Sequence, residues 1–482
     1  MKYLNIKYLL LGLFCLNLAS YAKRPNVVLI TIDDLNDWAS CMGAYPDART
    51  PNIDRLADSG LLFMNAYCTT AQCGPSRTAM LTGLDANTTG LYRNEDYWKV
   101  RFPGLQSMPM LFGKAGYAVY GTGKVFHGNT QKQIQEYCFE KDWDEYFVPN
   151  DSPTPRINNQ PVHPMEDVKP WIDWGGIDTD DSEMFDYNVA SYAISKLEAN
   201  HGDQPFFLAV GFHKPHAEWF VPQKYFDARP LEEITLPLYK ANDLEDLPTG
   251  AFKLTPNDPI FQRLNEKGWL NGAIQGYLAS VDFMDVQVGR VLDAIEENGH
   301  TEDTIVIIWS DHGFHLGEKE HWMKHRLWER STNTLLMMRV PGKTTAKSVH
   351  ASPVSSLDIF PTLADLCDLP KRKYRWDGYS LSELLTNPDW KRPKPVLTTQ
   401  ATHNYAVRSE RYRYILYEDG GEELYDHLTD PNEWNNLAHD SNYDTIKTEL
   451  SLHIPDHKIK APRYQKEFNK RAKELQNLTL LK

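Results

Sequence analysis

The sequence predicts an α/β fold, a mostly parallel sheet sandwiched by helices, with a smaller C-terminal antiparallel-sheet subdomain. Three observations carry that expectation. Four short apolar runs each break off in a polar or glycine-containing turn. Helical stretches separate the runs, so consecutive strands lie parallel, with crossovers covering both faces. After Leu366 the spacing tightens to strands around a Gly420-Gly421 turn, an antiparallel pattern. The 482 residues suffice for one large domain and a smaller one at about 100–200 residues each. Hydrophobic residues make up 41% and charged residues 24%, ordinary globular composition that excludes disorder for most of the chain.

The first element is an export signal over residues 1–22. Lys2 and Lys7 form its basic start, Tyr8 to Leu18 its apolar run, and Ser20-Tyr21-Ala22 the small residues before a cut at Lys23. A lipoprotein signal around Cys15 is the second reading, and the bulky Phe14 before it counts against that. The apolar run is too short to span a bilayer and no longer one follows, so no membrane span is expected. A periplasmic or secreted location follows.

Next, Val27-Val28-Leu29-Ile30-Thr31-Ile32 reads as a buried strand that stops at Asp33-Asp34. A helix follows over Pro51 to Ser59, with Thr50 as N-cap, Pro51 in the first position and Gly60 as stop. A second begins near Pro75 and runs toward Gly83. Tyr117 to Tyr120 forms a strand leading into Gly121-Thr122-Gly123-Lys124. Phe206 to Val210 leads into Gly211-Phe212-His213, and Ile305 to Trp309 into Ser310-Asp311-His312-Gly313. A long helix covers Ala273 to Glu297 and closes at Asn298-Gly299. Asp142 to Asp181 and Glu218 to Gly268 are rich in Pro, Asp, Asn and Trp. They read as long insertions that cover the surface or shape a binding site. Ala406 to Arg408, Tyr412 to Tyr417 and Glu423 to Tyr425 supply the C-terminal strands. The expected division is 23–365 for the main domain and 366–482 for the subdomain.

The formal net charge of -14 disfavours a nucleic-acid binder, which carries a basic face. It leaves a polyanionic substrate open, because a few cationic side chains or a metal reverse the potential locally. Loss of Cys15 with the signal leaves Cys41, Cys68, Cys73, Cys138 and Cys367. An odd number in an exported chain leaves at least one unpaired or chemically used.

The chemistry gathers at one predicted rim. The four strands end in Asp33-Asp34, in Lys124 with His127, in His213, and in Asp311-His312. Open α/β sheets bind ligands outside the carboxyl ends of their strands. Asp33, Asp34 and Asp311 offer hard oxygens suited to Ca²⁺ or Mg²⁺. A lone Asp is more often a cap or turn residue, but three at strand ends, two of them adjacent, favour a metal. His312, like His213-x-x-His216, pulls toward Zn²⁺ instead. Cys73 stands at a predicted helix start, where backbone N–H groups favour an anion, with Arg77 one turn in. A buried structural cysteine is the plainer reading of Cys73, and a thiolate with His127 or His213 as base is a third.

The run Cys73-Gly74-Pro75-Ser76-Arg77, continuing to Leu81-Thr82-Gly83, resembles the Cys-x-Pro-Ser-Arg signature of type I sulfatases, of the alkaline-phosphatase-like superfamily. Gly123-Lys124-Val125-Phe126-His127, His213-Lys214-Pro215-His216 and Ser310-Asp311-His312-Gly313 are most similar to the iduronate-2-sulfatase-like group. Glu423-Leu424-Tyr425-Asp426, Asp430-Pro431 and Asn436-Leu437-Ala438 resemble the family's C-terminal sheet subdomain. The resemblance covers nearly the whole mature chain.

The resemblance implies that a maturation enzyme oxidises Cys73 to formylglycine, whose hydrate attacks sulfur. One Ca²⁺ per chain is implied on Asp33, Asp34, Asp311, His312 and the modified Cys73. Arg77 and Lys124 would hold the hydrate, and Lys124 and Lys324 the sulfate oxygens. His213 would be the acid for the leaving sugar hydroxyl and His127 the base that later frees sulfate. The implied substrate is a sulfated oligosaccharide or polysaccharide, attacked at a terminal sugar such as a sulfated uronate; ulvan, carrageenan and glycosaminoglycan fragments are candidates. Two alternatives stand beside it: a phosphodiesterase or phosphonate monoester hydrolase of the same superfamily, and an inactive glycan-binding homologue. His315 and Trp98 are candidates for facing the sugar, with His321 and Tyr97 nearby. Trp171, Trp174 and Trp219, in the insertions, are candidates for lining a glycan groove.

Overall fold

The computed structural model describes residues 24–96, 98–102, 104–128, 142–150, 152, 155, 161–165, 172–254, 259–372 and 374–455. The expected export signal, Tyr97, Cys138 and Trp171 lie outside the described residues.

The main sheet is built from β1 (Asn26–Ile32), β2 (Leu61–Tyr67), β3 (Ala118–Gly123), β4 (Glu145–Phe147), β5 (Phe206–Phe212), β6 (Thr304–Ser310), β7 (Asn333–Arg339), β8 (Ser348–His350) and β9 (Val354–Ser355). Its order is β8-β2-β7-β6-β1-β5-β3-β4, with β9 also on β2. Every pairing is parallel except those of β7, which runs against β2 and β6. The apolar runs form strands because both faces of each residue pair are buried, the signature of a sheet covered on two sides. Along β1, Val28, Ile30 and Ile32 face one layer, with Val210 of β5 and Ile308 of β6. Val27 and Leu29 face the other, with Phe207 and Ile307. Burying each such side chain stabilises by about 1.5–3 kcal/mol, and the alternation commits both layers to one register.

The first layer holds α1 (Pro51–Ser59), α3 (Phe185–Leu197) and α4 (Leu270–Glu297); the second holds α2 (Cys73–Thr82) and α5 (Ile359–Leu366). Thr50 stands in the N-cap position of α1 but does not cap it. Its hydroxyl donates to Asp54, while Asp285 of α4 accepts from the backbone N–H groups of Asn52 at 3.1 Å and Ile53 at 2.9 Å. Gly60 follows α1 where only a glycine fits: a Cβ there would lie 2.5 Å from the Met338 carbonyl oxygen. The second helix starts two residues before Pro75, at Cys73, and ends at Gly83 with φ 62°, a left-handed stop.

Among their described residues, the insertions carry strands of their own. Trp174–Ile177 and Trp219–Pro222 pair in parallel beside α4. Trp174 lies over Gly272 and Gly276, where a Cβ would come within 2.9 and 2.5 Å of it. Trp219 is wholly buried. Both are core residues, which corrects the expectation that they line a glycan groove.

The C-terminal sheet runs Val396–Thr399, Tyr405–Arg408, Tyr412–Leu416 and Glu422–Asp426, antiparallel and in chain order. Ala406, Ile415 and Tyr425 face Leu327 and Trp328 of the main body. Val407, Tyr414 and Leu424 face Leu450 on the terminal helix Asp444–Ser451. Cys367, Leu369, Leu381 and Leu384, placed beyond the expected boundary, are buried in the second layer of the main sheet. Among the described residues no helix is long and apolar enough to cross a membrane.

Candidate active site

Backbone register assembles the first half of the site. Ile32 is level with Phe212 and with Ser310, so the next residues, Asp33, His213 and Asp311, leave the sheet side by side. Gly123 pairs with Gly211, and a Cβ on Gly123 would sit 2.1 Å from the Gly211 carbonyl oxygen. Only a glycine allows that approach, which lets the Lys124 N–H donate to the Gly211 oxygen at 2.7 Å. Asp34 adopts a left-handed φ of 62°, and its N–H donates to Asp311 Oδ1 at 3.2 Å. A non-glycine residue there costs free energy and persists only where its surroundings determine it.

Helix α2 and a later loop complete the site. Cys73 is the buried first residue of α2. Its Sγ lies 3.2 Å from His312 Nε2 and 3.2 Å from Lys324 Nζ, and that ammonium donates to Asp34 Oδ1 at 2.6 Å. Arg77 Nε donates to Asp311 Oδ2 at 2.8 Å, while another guanidinium nitrogen is 3.5 Å from Asp33 Oδ1. Lys124 makes a close ion pair with Asp33. Ser76 Oγ donates to the Asp311 carbonyl oxygen at 2.5 Å, tying α2 to the end of β6.

The charges oppose one another in a buried pocket. Burial pushes the Cys73 thiol well above its ordinary range, and Asp33 adds to this against Lys324 and Lys124. Burial thus disfavours the thiolate, which counts against a thiolate hydrolase. Burial would raise Asp33, but Lys124, His216, Arg77 and Lys324 hold it well below the usual carboxylate range. Asp311 is pushed up to about 8 by burial and Asp33, against the pull of Arg77. His127 falls to about 3 through burial and then Lys124; His213 is also lowered, by burial, Lys124 and His216. Both rings are neutral. Neither nitrogen of His213 has a hydrogen-bond partner among the described residues.

Ligand atoms of Asp33, Asp34, Cys73 and His312 lie within 4.8 Å of one another, close enough to share one cation. Asp311 flanks them, its Oδ1 3.6 Å from His312 Nε2. Two carboxylates with a third adjacent are a donor set for a divalent metal.

Not every expected residue joins this cluster. Trp98 is 3% exposed within the core of the second layer, and the Lys99 ammonium covers its ring at 4.9 Å, so it has no open face for a sugar. His315 is likewise enclosed: Ser331 Oγ is 2.9 Å from its Nδ1, and His321 and Trp328 pack on its ring. Both expectations of sugar contact are corrected, because long-range packing claims these rings. Conversely, Asp186 of α3 accepts from the N–H groups of His213 and Lys214, each at 2.8 Å, and so orients the end of β5. Asn94 Oδ1 accepts from Gly74 N at 2.9 Å at the head of α2. His216 Nε2 stands 3.8 Å from Asp34 Oδ2. Only His216 carried a sequence signal, its spacing from His213.

The chain is similar to known proteins over most of its length. The family described as Sulfatase matches residues 25–369, and one described as N-sulphoglucosamine sulphohydrolase, C-terminal, matches 317–460. A sulfatase of Formosa agariphila is 35% identical over 93% of this chain and 91% of its own length. The iduronate 2-sulfatase of Mus musculus is 29% identical over 85% of this chain and 88% of its own. Among solved structures, the phosphonate monoester hydrolase of Agrobacterium radiobacter superposes with a TM-score of 0.71 at 21% identity, covering 89% of this chain and 94% of that one. That likeness shows the fold alone.

Proposed function

We propose that this chain, a sulfuric ester hydrolase that belongs to the sulfatase family, removes sulfate from sulfated carbohydrates by means of Cys73 converted to formylglycine, with Ca²⁺. The observation that carries this reading is Cys73 at the buried head of α2, 3.2 Å from both Lys324 and His312 and bordered by three aspartates. Family membership and the iduronate 2-sulfatase relative support a sugar sulfate, removed in exo fashion from a terminal residue such as a uronate. Fragments of ulvan, carrageenan or glycosaminoglycan fit that class. A periplasmic or secreted site of action and dependence on a formylglycine-generating enzyme belong to the same reading.

A sulfate ester presents a monoanion that repels nucleophiles. Lys124 and Lys324 bind its oxygens and offset the charge that builds during transfer. Asp33, Asp34, Asp311 and His312 are the residues that would hold Ca²⁺, which when bound adds positive charge against the sulfate. Formylglycine supplies, as its hydrate, an oxygen nucleophile that the Cys73 thiol does not. Arg77 braces Asp33 and Asp311, keeping two of the carboxylates in place. Burial and Lys124 favour the neutral form of His213; a sulfate anion beside its ring raises its proton affinity, so it holds a proton for the departing sugar oxygen. His127, already neutral, takes the proton that frees sulfate.

The test is free sulfate released from a panel of defined sulfated oligosaccharides, run beside matched phosphate esters. Release from sugars, lost on chelation and restored by Ca²⁺, supports the reading. Release from small aryl sulfates only sinks the carbohydrate assignment, and faster phosphate release sinks the choice of ester.

A further inference from the structure

We propose that the C-terminal sheet positions Lys324, through Arg413 and the carboxylates of Glu329 and Glu433. The inference rests on the reading above, in which Lys324 holds the sulfate oxygens. Lys324 reaches Asp34 and Cys73 from a segment with an unusual backbone. Lys319, Glu320, Met323 and His325 have φ of 53°, 48°, 79° and 74°, all left-handed and none a glycine. Each costs free energy, and such a run persists only where the surroundings over-determine it.

The main body supplies some of those surroundings, such as the Ala71 carbonyl oxygen that accepts from His325 N at 3.2 Å, and the C-terminal unit supplies others. Arg413 of the strand Tyr412–Leu416 is wholly buried. Its Nε is 2.6 Å from Glu433 Oε1, a second nitrogen pairs closely with Glu329, and NH1 donates to the Leu327 carbonyl oxygen at 3.0 Å. Glu433 Oε2 accepts from Glu329 N at 2.8 Å, and the Glu433 carbonyl oxygen accepts from Lys319 Nζ. The cluster therefore grips the Lys324 segment at both ends, at Lys319 and at Leu327 with Glu329. The planar guanidinium hydrogen-bonds one carboxylate and a carbonyl while its charge faces the second carboxylate; a lysine keeps the charge but loses that geometry. Arg413 is thus a positioning residue, some way from the reacting atoms.

The test compares Arg413→Lys, Lys324→Ala and the double variant of the matured enzyme. It measures kcat and KM on an aryl sulfate, and the Kd of inorganic sulfate by calorimetry, which needs no turnover. R413K is expected to weaken sulfate binding and kcat/KM about tenfold, and to change the Kd less than about twofold in the K324A background. Equal weakening in both backgrounds shows a merely structural role and overturns the proposal. So does an R413K protein identical to the parent. A K324A protein with parental constants overturns the sulfate-holding role of Lys324 instead, a separate failure. Should R413K not fold, Glu433→Gln takes its place; it keeps the side chain's shape and removes the negative charge 2.6 Å from Arg413 Nε, within the same cluster.

Discussion

Asp33, His213 and Asp311 leave the sheet from strands in register, whereas Lys324 arrives at the same point on a loop flanked by a buried cluster of Glu329, Glu433 and Arg413, the last from another sheet. The first half of the site is set by backbone hydrogen bonds and core alternation, which many residues share. The second half depends on a few buried ion pairs and a backbone bent against its preference. Redundant support makes the strand ends hard to displace by any one substitution nearby. Sparse support makes the Lys324 loop sensitive to single changes far from the chemistry. Removing one partner of a buried pair costs about 3–5 kcal/mol, because the other is left uncompensated.

Substitutions can break or sharpen this contrast. The largest effect is expected from Cys73→Ala, which removes the nucleophile's precursor and lowers sulfate release by more than about 10³-fold. Steady-state release of free sulfate checks it, and activity close to the parent's contradicts it. Lys324→Ala is expected to cost about 10²–10³-fold in kcat, as for loss of one preorganised charge stabiliser. Asp186→Asn acts on the better-supported half, weakening the hold on His213 N while the β1–β5 register persists. A kcat loss of about tenfold, near 1.4 kcal/mol, is expected, and a loss as large as that of Lys324→Ala contradicts the contrast. The smallest effect concerns stability and pH. Burial pushes Asp285, the cap of α1, up to about 6. Its pKa in the unfolded chain is about 3.9, so the native state binds more protons between the two values. The stability its neutral form contributes is complete below about pH 4 and lost as pH rises through the folded value. Asp285→Asn should flatten the fall in Tm between about pH 4 and 6. An unchanged slope rules Asp285 out as its source.

Much of the main sheet was legible because its strands are apolar runs that stop at charged residues. β1, β3, β5 and β6 begin within one residue of their expected starts, and their ends bring Asp33, Lys124, His213 and Asp311 together. Periodicity and turn chemistry are local, so a single sequence displays them. Burial of a particular ring is not local. Trp174 and Trp219 sit in stretches that read as insertions, Trp98 and His315 in stretches assigned no element, and partners elsewhere in the chain such as Gly276 and Trp328 decide their fate. Asp186 and the Arg413–Glu433 pair were invisible for the same reason: an acid on a helix or an Arg on a strand has no signature until its partner is known.

The central claim is that Cys73 is spent as a precursor, and mass spectrometry of the peptide containing it tests this most directly. Protein matured with a formylglycine-generating enzyme, and active in sulfate release, should show the thiol replaced by an aldehyde or its hydrate. Active protein with an intact Cys73 thiol throughout would contradict the account.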